Sequence, residues 1–311
     1  MTLSNSRFYH ILHKLPVPVC GVTLGLAAVG NMLNNYSTLL HWLYLAAAAI
    51  LWAALLAKLL LCWPDAKKEL MNPLALSVFE AFFMTLLQFS AALAPYYSKT
   101  ALWLWIIANI ANFILIGIFS WKYLKHFQLS NVFTSWNVLY GGNMLAAVIA
   151  PAVHMEEPGI LLFWLHFIIF LPWYPISAYR YWKLPVAEAA QPTICILAAP
   201  FNLVLAGYLT AIPEPEPVLT ILFTLIAQIA YVFVLTRLPG ILRLPFYPSY
   251  GALTFPFVIP AVAMQKLLLY LENINITIPA ALHGMVMAEQ IIAVIMVTYV
   301  LVRYLYALCK R

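Results

Sequence analysis

Charge is scarce in this chain. Asp, Glu, Lys and Arg make up 8% of its 311 residues, while hydrophobic residues make up 65% and the mean hydropathy is +0.92. Soluble domains carry about 25% charged and roughly 45–50% apolar residues. No globular core could hide this much apolar surface, so the solvent must be lipid. Cysteine is scarce too: Cys20, Cys62, Cys195 and Cys309 are scattered, with no CxxC spacing to suggest a metal or redox site. Enzyme signatures are missing. No HExxH, nucleophile elbow, P-loop or Rossmann glycine pattern occurs, and of the seven His residues only His10 and His13 are close in sequence. Neither an enzyme, a cofactor nor a bound metal is expected. The stretch through Lys14 is polar and Leu15 opens a full-length apolar run, so a cleavable signal peptide is not expected.

Long apolar runs are what the chain has instead. A membrane helix needs roughly 20 apolar residues, at about 1.5 Å per residue across about 30 Å of hydrocarbon. Ten runs qualify: 16–36, 39–63, 73–94, 100–123, 134–153, 159–181, 192–211, 217–237, 249–270 and 279–307. They must be helices, because backbone groups cannot go unpaired in lipid and the short alternating strands of a barrel are absent. The basic residues test the count. With a cytoplasmic N-terminus, 14 of the 16 Lys and Arg residues fall in inner loops and only Lys99 and Lys266 in outer ones, which follows the positive-inside rule. The net charge of +6 then reflects topology, not nucleic-acid binding. The expectation is an all-α, multi-pass protein of the cell (inner) membrane, one transmembrane domain over residues 1–311, with both termini cytoplasmic.

The ten spans pair into five hairpins joined on the outside. Odd-numbered spans hold 15 Gly and Pro residues and even-numbered spans 7. Helix breakers are tolerated in membranes where the freed backbone meets protein or a water-filled cavity. The odd spans are therefore candidates to line something, with Gly21, Gly25, Gly141, Gly142, Pro200, Pro256 and Pro260 as their kinks. The plainer reading is that Gly and Pro are simply commoner in membrane helices and that GVTLG, Gly21 to Gly25, is a packing motif.

Span 3 carries a polar stripe. At 100° per residue Ser77, Glu80, Met84 and Gln88 fall within about 80° of one another, and an intramembrane carboxyl group is by default a functional candidate. Glu80 either titrates on a wet face or is protonated and hydrogen-bonded to a neighbouring helix. With Thr254, the residues Ser77, Glu80 and Gln88 are the candidate polar groups of a lumen. Isolated His166 reads as a packing residue and Glu289, on an even span, as structural. Trp63, Tyr96, Tyr97, Trp121 and Trp182 near span ends read as interface anchors. Phe255, well inside span 9 and directly before Pro256, does not.

At these residues the chain resembles the tellurite-resistance/dicarboxylate transporter family, which includes bacterial TehA-type proteins and the slow anion channels of plant guard cells. The matching pieces are PVPVCGVTLGLAAV in span 1, NPLALSVFEAFF in span 3, SWNVLYGGNMLAAV in span 5, QPTICILAAPFNLVLAGYL in span 7 and YGALTFPFVIPAVA in span 9. The resemblance implies ten helices as five hairpins in quasi-fivefold order around a central pore, odd helices inside, with one pore in each protomer of a homotrimer. It implies small inorganic or organic anions as the passing species, the lipid bilayer as surroundings, and Phe255 of the TFP run as the gate. Two departures stand out. Channel relatives usually begin span 3 with His-Pro where this chain has Asn72-Pro73. Glu80 would place a negative charge near the lumen if ionised, which raises the alternative of a proton-coupled dicarboxylate or organic anion transporter with Glu80 as the titrating group.

Overall fold

The computed structural model describes residues 7–310; Arg311, one of the basic residues placed inside above, lies outside them. No strand occurs among the described residues, and nine helices are long and apolar enough to cross a membrane. The protein is an all-α membrane protein. The nine correspond to predicted spans 2 to 10: Thr38–Leu61, Pro73–Leu93, Ser98–Tyr123, Trp136–Val153, Glu156–Lys183, Glu188–Ala211, Pro217–Leu242, Pro248–Asn273 and Ala280–Lys310. Predicted span 1 is a shorter apolar helix, Val17–Leu33. Span numbers are kept below.

Two kinds of helix alternate along the chain. Even spans are mostly continuous. Thr38–Leu61 has no Gly or Pro, and its start is capped by Ser37 Oγ, which accepts from the Leu40 amide at 3.3 Å. Pro217–Leu242 starts with a proline where no amide donor is needed, after Glu216, whose carboxylate accepts from Leu219 N at 2.9 Å. Span 6 is the exception, divided between Glu156–Phe170 and Trp173–Lys183 around Pro172.

Odd spans are broken. Span 3 divides at Phe79 into Pro73–Val78 and Glu80–Leu93. Span 5 passes into a 3-10 turn at Gly142–Met144 and again at Ala150–Val153. Spans 7 and 9 open as 3-10 helices, Glu188–Ala198 and Pro248–Leu253, and become α-helical only at Ala199 and Phe255.

This corrects the expected kink at Pro256. The break falls at Thr254, and Pro256 is the second residue of the α-helix that follows. A proline there lacks an amide that would have had no intrahelical acceptor, so it costs little. Pro200 has the same place in Ala199–Ala211. Of these three prolines, Pro260 is the one inside its helix.

Burial separates the two kinds. Within their most apolar stretches, odd spans 3, 5, 7 and 9 are 72–83% buried and the even spans 22–39%; nearly every residue of Val19–Leu33 in span 1 is buried. Even spans carry the lipid-facing side chains, such as Leu39, Ile50, Trp103, Ile114, Ile168 and Ile229. Among the described residues of the odd spans, Leu269 is the one large exposed hydrophobic. Span 1 packs on span 3, span 3 on 5, 5 on 7, 7 on 9, and 9 back on 1, so the odd spans close a ring; each even span packs on the odd span before it.

The outer helices also satisfy the broken backbone of the inner ones. Where span 5 loses its α-helical pattern, the carbonyl of Tyr140 meets His166 Nδ1 (2.9 Å), that of Leu139 accepts from Asn112 Nδ2 (3.4 Å), and that of Ala146 accepts from Trp105 Nε1 (3.0 Å). His166 is thus the packing residue expected. Spans 1 and 9 close on each other through small residues. Thr254 Oγ1 donates to the carbonyls of Gly21 (2.6 Å) and Gly251 (2.7 Å), and a Cβ added at Gly25 would stand 2.4 Å from Thr254 Cβ. Gly25→Ala is therefore expected to destabilise the protein by about 1–3 kcal/mol through overpacking. Gly284→Ala, where an added Cβ meets nothing within 4 Å, is expected to be neutral. Thermal unfolding of the two variants in detergent checks the contrast.

Candidate functional site

The ring of odd spans encloses two voids. The first, about 490 Å³, lies toward the ends where the odd spans begin. All five odd spans line it, through residues such as Gly21, Met84, Val138, Ile196 and Ala252, and no even span does. At its mouth stand Lys68 and Glu69, on the short helix Trp63–Leu70 that leads into span 3. The second void, about 450 Å³, lies toward the opposite ends and is lined by spans 1, 3, 5 and 9, including Asn31, Gln88, Val148 and Ile259, with Lys266 and Glu272 further out.

Phe255 lines both voids, and among the described residues no other does. It is 6% exposed. Its position follows from the local chain: the break at Thr254 ends the 3-10 segment, and Phe255 is the first residue of the α-helix that Pro256 starts. A residue with a bulky side chain thus stands where one space gives way to the other.

Residues 14–305 match the voltage-dependent anion channel (SLAC1) family. The chain belongs to that family. No curated protein matches it. The match takes in every odd span and both voids, and membership carries anion transport in general, a transport role and not an enzymatic one.

The candidate residues of this channel-family chain divide into two groups. Gly21, Gly141, Gly142, Pro200 and Pro256 line the first void beside Phe255, and Gln88 lines the second. Asn31 Nδ2 donates to Gln88 Oε1 at 2.7 Å, which leaves the Gln88 amide nitrogen as the free donor of that side chain. Gly25, Pro260, Thr254 and Ser77 line neither void. Gly25 packs on Thr254, Pro260 is buried in its helix, and Thr254 is hydrogen-bonded as described. Ser77 Oγ bonds to the Pro73 carbonyl (2.8 Å) and to Ser135 Oγ (2.7 Å).

Glu80 is also absent from both linings. It is fully buried, with Asn112 of span 4 against its carboxyl group. Both Glu80 oxygens and Asn112 Oδ1 lack a hydrogen-bond partner within normal bonding distance among the described residues. Glu80, Met84 and Gln88 belong to one helix, Glu80–Leu93, and each step of four residues turns by about 40°, so Met84 and Gln88 face the voids while Glu80, at the edge of the stripe, lies toward Asn112 of span 4.

One group escaped the sequence reading. Lys58 was counted there as an inner-loop charge, yet it is fully buried and reaches in from span 2 to Glu69. Its place inside the apolar run 39–63 was the available signal, because a lysine within a span is costly unless paired.

The orphaned acceptors give a sharp expectation. Glu80→Gln puts an amide donor beside Asn112 Oδ1, so the variant is expected to lie within about 0.5 kcal/mol of the native protein or above it. Asn112→Leu, which leaves the Leu139 carbonyl without its donor, is expected to cost about 1–3 kcal/mol. Unfolding midpoints in detergent check both.

Proposed function

We propose that the chain passes small anions through a conduit formed by the two voids, with Phe255 as the gate between them. The observation that carries this reading is that Phe255 lines both voids. An apolar side chain at a narrow point excludes water and so blocks ions. A phenyl ring has a positive edge and a negative face, so rotation that turns the edge to the axis lets an anion by, whereas a flat ring stops it.

Two features favour anions over cations. The α-helix that starts at Phe255, after the break at Thr254, presents its N-terminal end at the first void, and such an end carries a partial positive charge. The basic residues at the inner ends of the spans concentrate anions at that mouth when that side is cytoplasmic. On this reading residues 1–311 form one transmembrane unit of the cell (inner) membrane with cytoplasmic termini. The apolar even-span faces meet lipid and neighbouring protomers, which fits a homotrimer with one conduit per subunit. The burial of Glu80 away from both voids speaks for passive passage over proton-coupled transport of a dicarboxylate.

Phe255→Ala is expected to raise anion conductance at least about tenfold, equivalent to about 1.4 kcal/mol off the barrier. Currents in oocytes or planar bilayers check this, and a current no larger than that of the native protein would overturn the gate. In proteoliposomes, anion uptake is expected to respond to a pH gradient identically in the native protein and in Glu80→Gln. A gradient response lost in the variant would restore the proton-coupled alternative.

A further inference from the structure

The first void opens beside two charges of opposite sign, Lys68 and Glu69, adjacent on the helix Trp63–Leu70. Their surroundings differ. Lys68 is exposed and has no acidic partner among the described residues. Glu69 is fully committed. Its Oε1 meets the ammonium of Lys58, and its Oε2 accepts from the Val17 amide at 2.7 Å. The Lys58 ammonium also donates to the Leu15 carbonyl at 2.5 Å. The clasp therefore joins the end of span 2, the helix before span 3 and the chain entering span 1, whose neighbours Pro16 and Pro18 line the same void.

A fully buried lysine is expensive unless its charge is matched and its donors are used. Here the matching partner is the one carboxylate among the residues lining this void. From this geometry we infer that Lys58, which does not itself touch the void, sets the sign of the charge at its mouth: by neutralising Glu69 it leaves Lys68 unopposed, and the entrance becomes attractive to anions. Lys58 is thus a positioning residue for selectivity and Lys68 the charge an approaching anion meets. The inference rests on the conduit reading above, and adds to it the residues that choose between anions and cations at the entrance.

Reversal potentials in a Phe255→Ala background, under a salt gradient, provide the test. Lys58→Met is expected to expose the Glu69 charge and lower the anion-to-cation permeability ratio by about threefold to tenfold. Adding Glu69→Gln to that variant is expected to restore the ratio, which a purely structural role of the clasp would not do. Lys68→Gln leaves the clasp intact and alters only an exposed side chain; it is expected to lower the ratio as well, and it decides the matter if Lys58→Met does not fold. Selectivity unchanged in Lys68→Gln, or in a folded Lys58→Met, would overturn the inference while the conduit stands. Absence of any anion current in Phe255→Ala would remove the conduit and the inference together.

Discussion

Lipid offers no hydrogen bonds, and the architecture follows from where the chain can leave its backbone unpaired. An open carbonyl or amide in hydrocarbon costs several kcal/mol, so a membrane helix can break only where protein or water supplies a partner. In this protein the breaks are concentrated in the odd spans, and the odd spans form the buried ring. The even spans shield that ring and reach into it with His166, Asn112 and Trp105 to satisfy the exposed carbonyls of span 5. The outer helices are thus more than a lipid-facing wall; they make the irregular inner helices affordable.

The same constraint fixes the position of Phe255. A helix that ran α-helically through Pro256 would lose a backbone bond and meet a ring clash at its centre. Starting the helix at Phe255 removes both costs, but it requires a break one residue earlier. The Thr254 hydroxyl stabilises that break by bonding back to Gly251 and across to Gly21 of span 1. The close approach needs small residues on the facing helix, which is what Gly21 and Gly25 provide. Glycine in one span, threonine at the break and proline after it are parts of a single device that holds one aromatic ring at the boundary of two voids.

Much of this arrangement could be read from the residues. Apolar runs, the sidedness of Lys and Arg, and the uneven share of Gly and Pro pointed to alternating helices before any contact was known, because each is a local response to a lipid solvent. The resemblance of the TFP run singled out Phe255. What could not be read was rotation. Ser77 joins the stripe only if span 3 is one uninterrupted helix, and the break at Phe79 separates it; Glu80 and Gln88 share the helix Glu80–Leu93, where the rotation of about 80° between them leaves Gln88 at a void and Glu80 outside both. Pro256 and Pro260 look alike in sequence, yet one stands in the first turn of a helix and the other inside that same helix, a difference set by the break at Thr254. Lys58 looked like a loop charge because its partner, Glu69, belongs to a different element.

The distribution of charge completes the physical picture. Moving an unpaired ion into a low-dielectric interior costs on the order of 20 kcal/mol, so a conduit needs compensating fields, yet strong compensation would trap the ion. A lysine 4 Å from an anion at an effective dielectric of about 20 contributes about 4 kcal/mol, enough to slow release by roughly a thousandfold. In both voids the full charges are kept toward the ends, Lys68 and Glu69 at one and Lys266 and Glu272 at the other. Between them stand apolar walls, neutral amides and helix starts, whose partial charges attract without holding. Such a lining favours quick passage over tight recognition. On the proposed reading, selectivity resides at the entrance, where water still screens the ion, and opening at Phe255, where an apolar ring would exclude water.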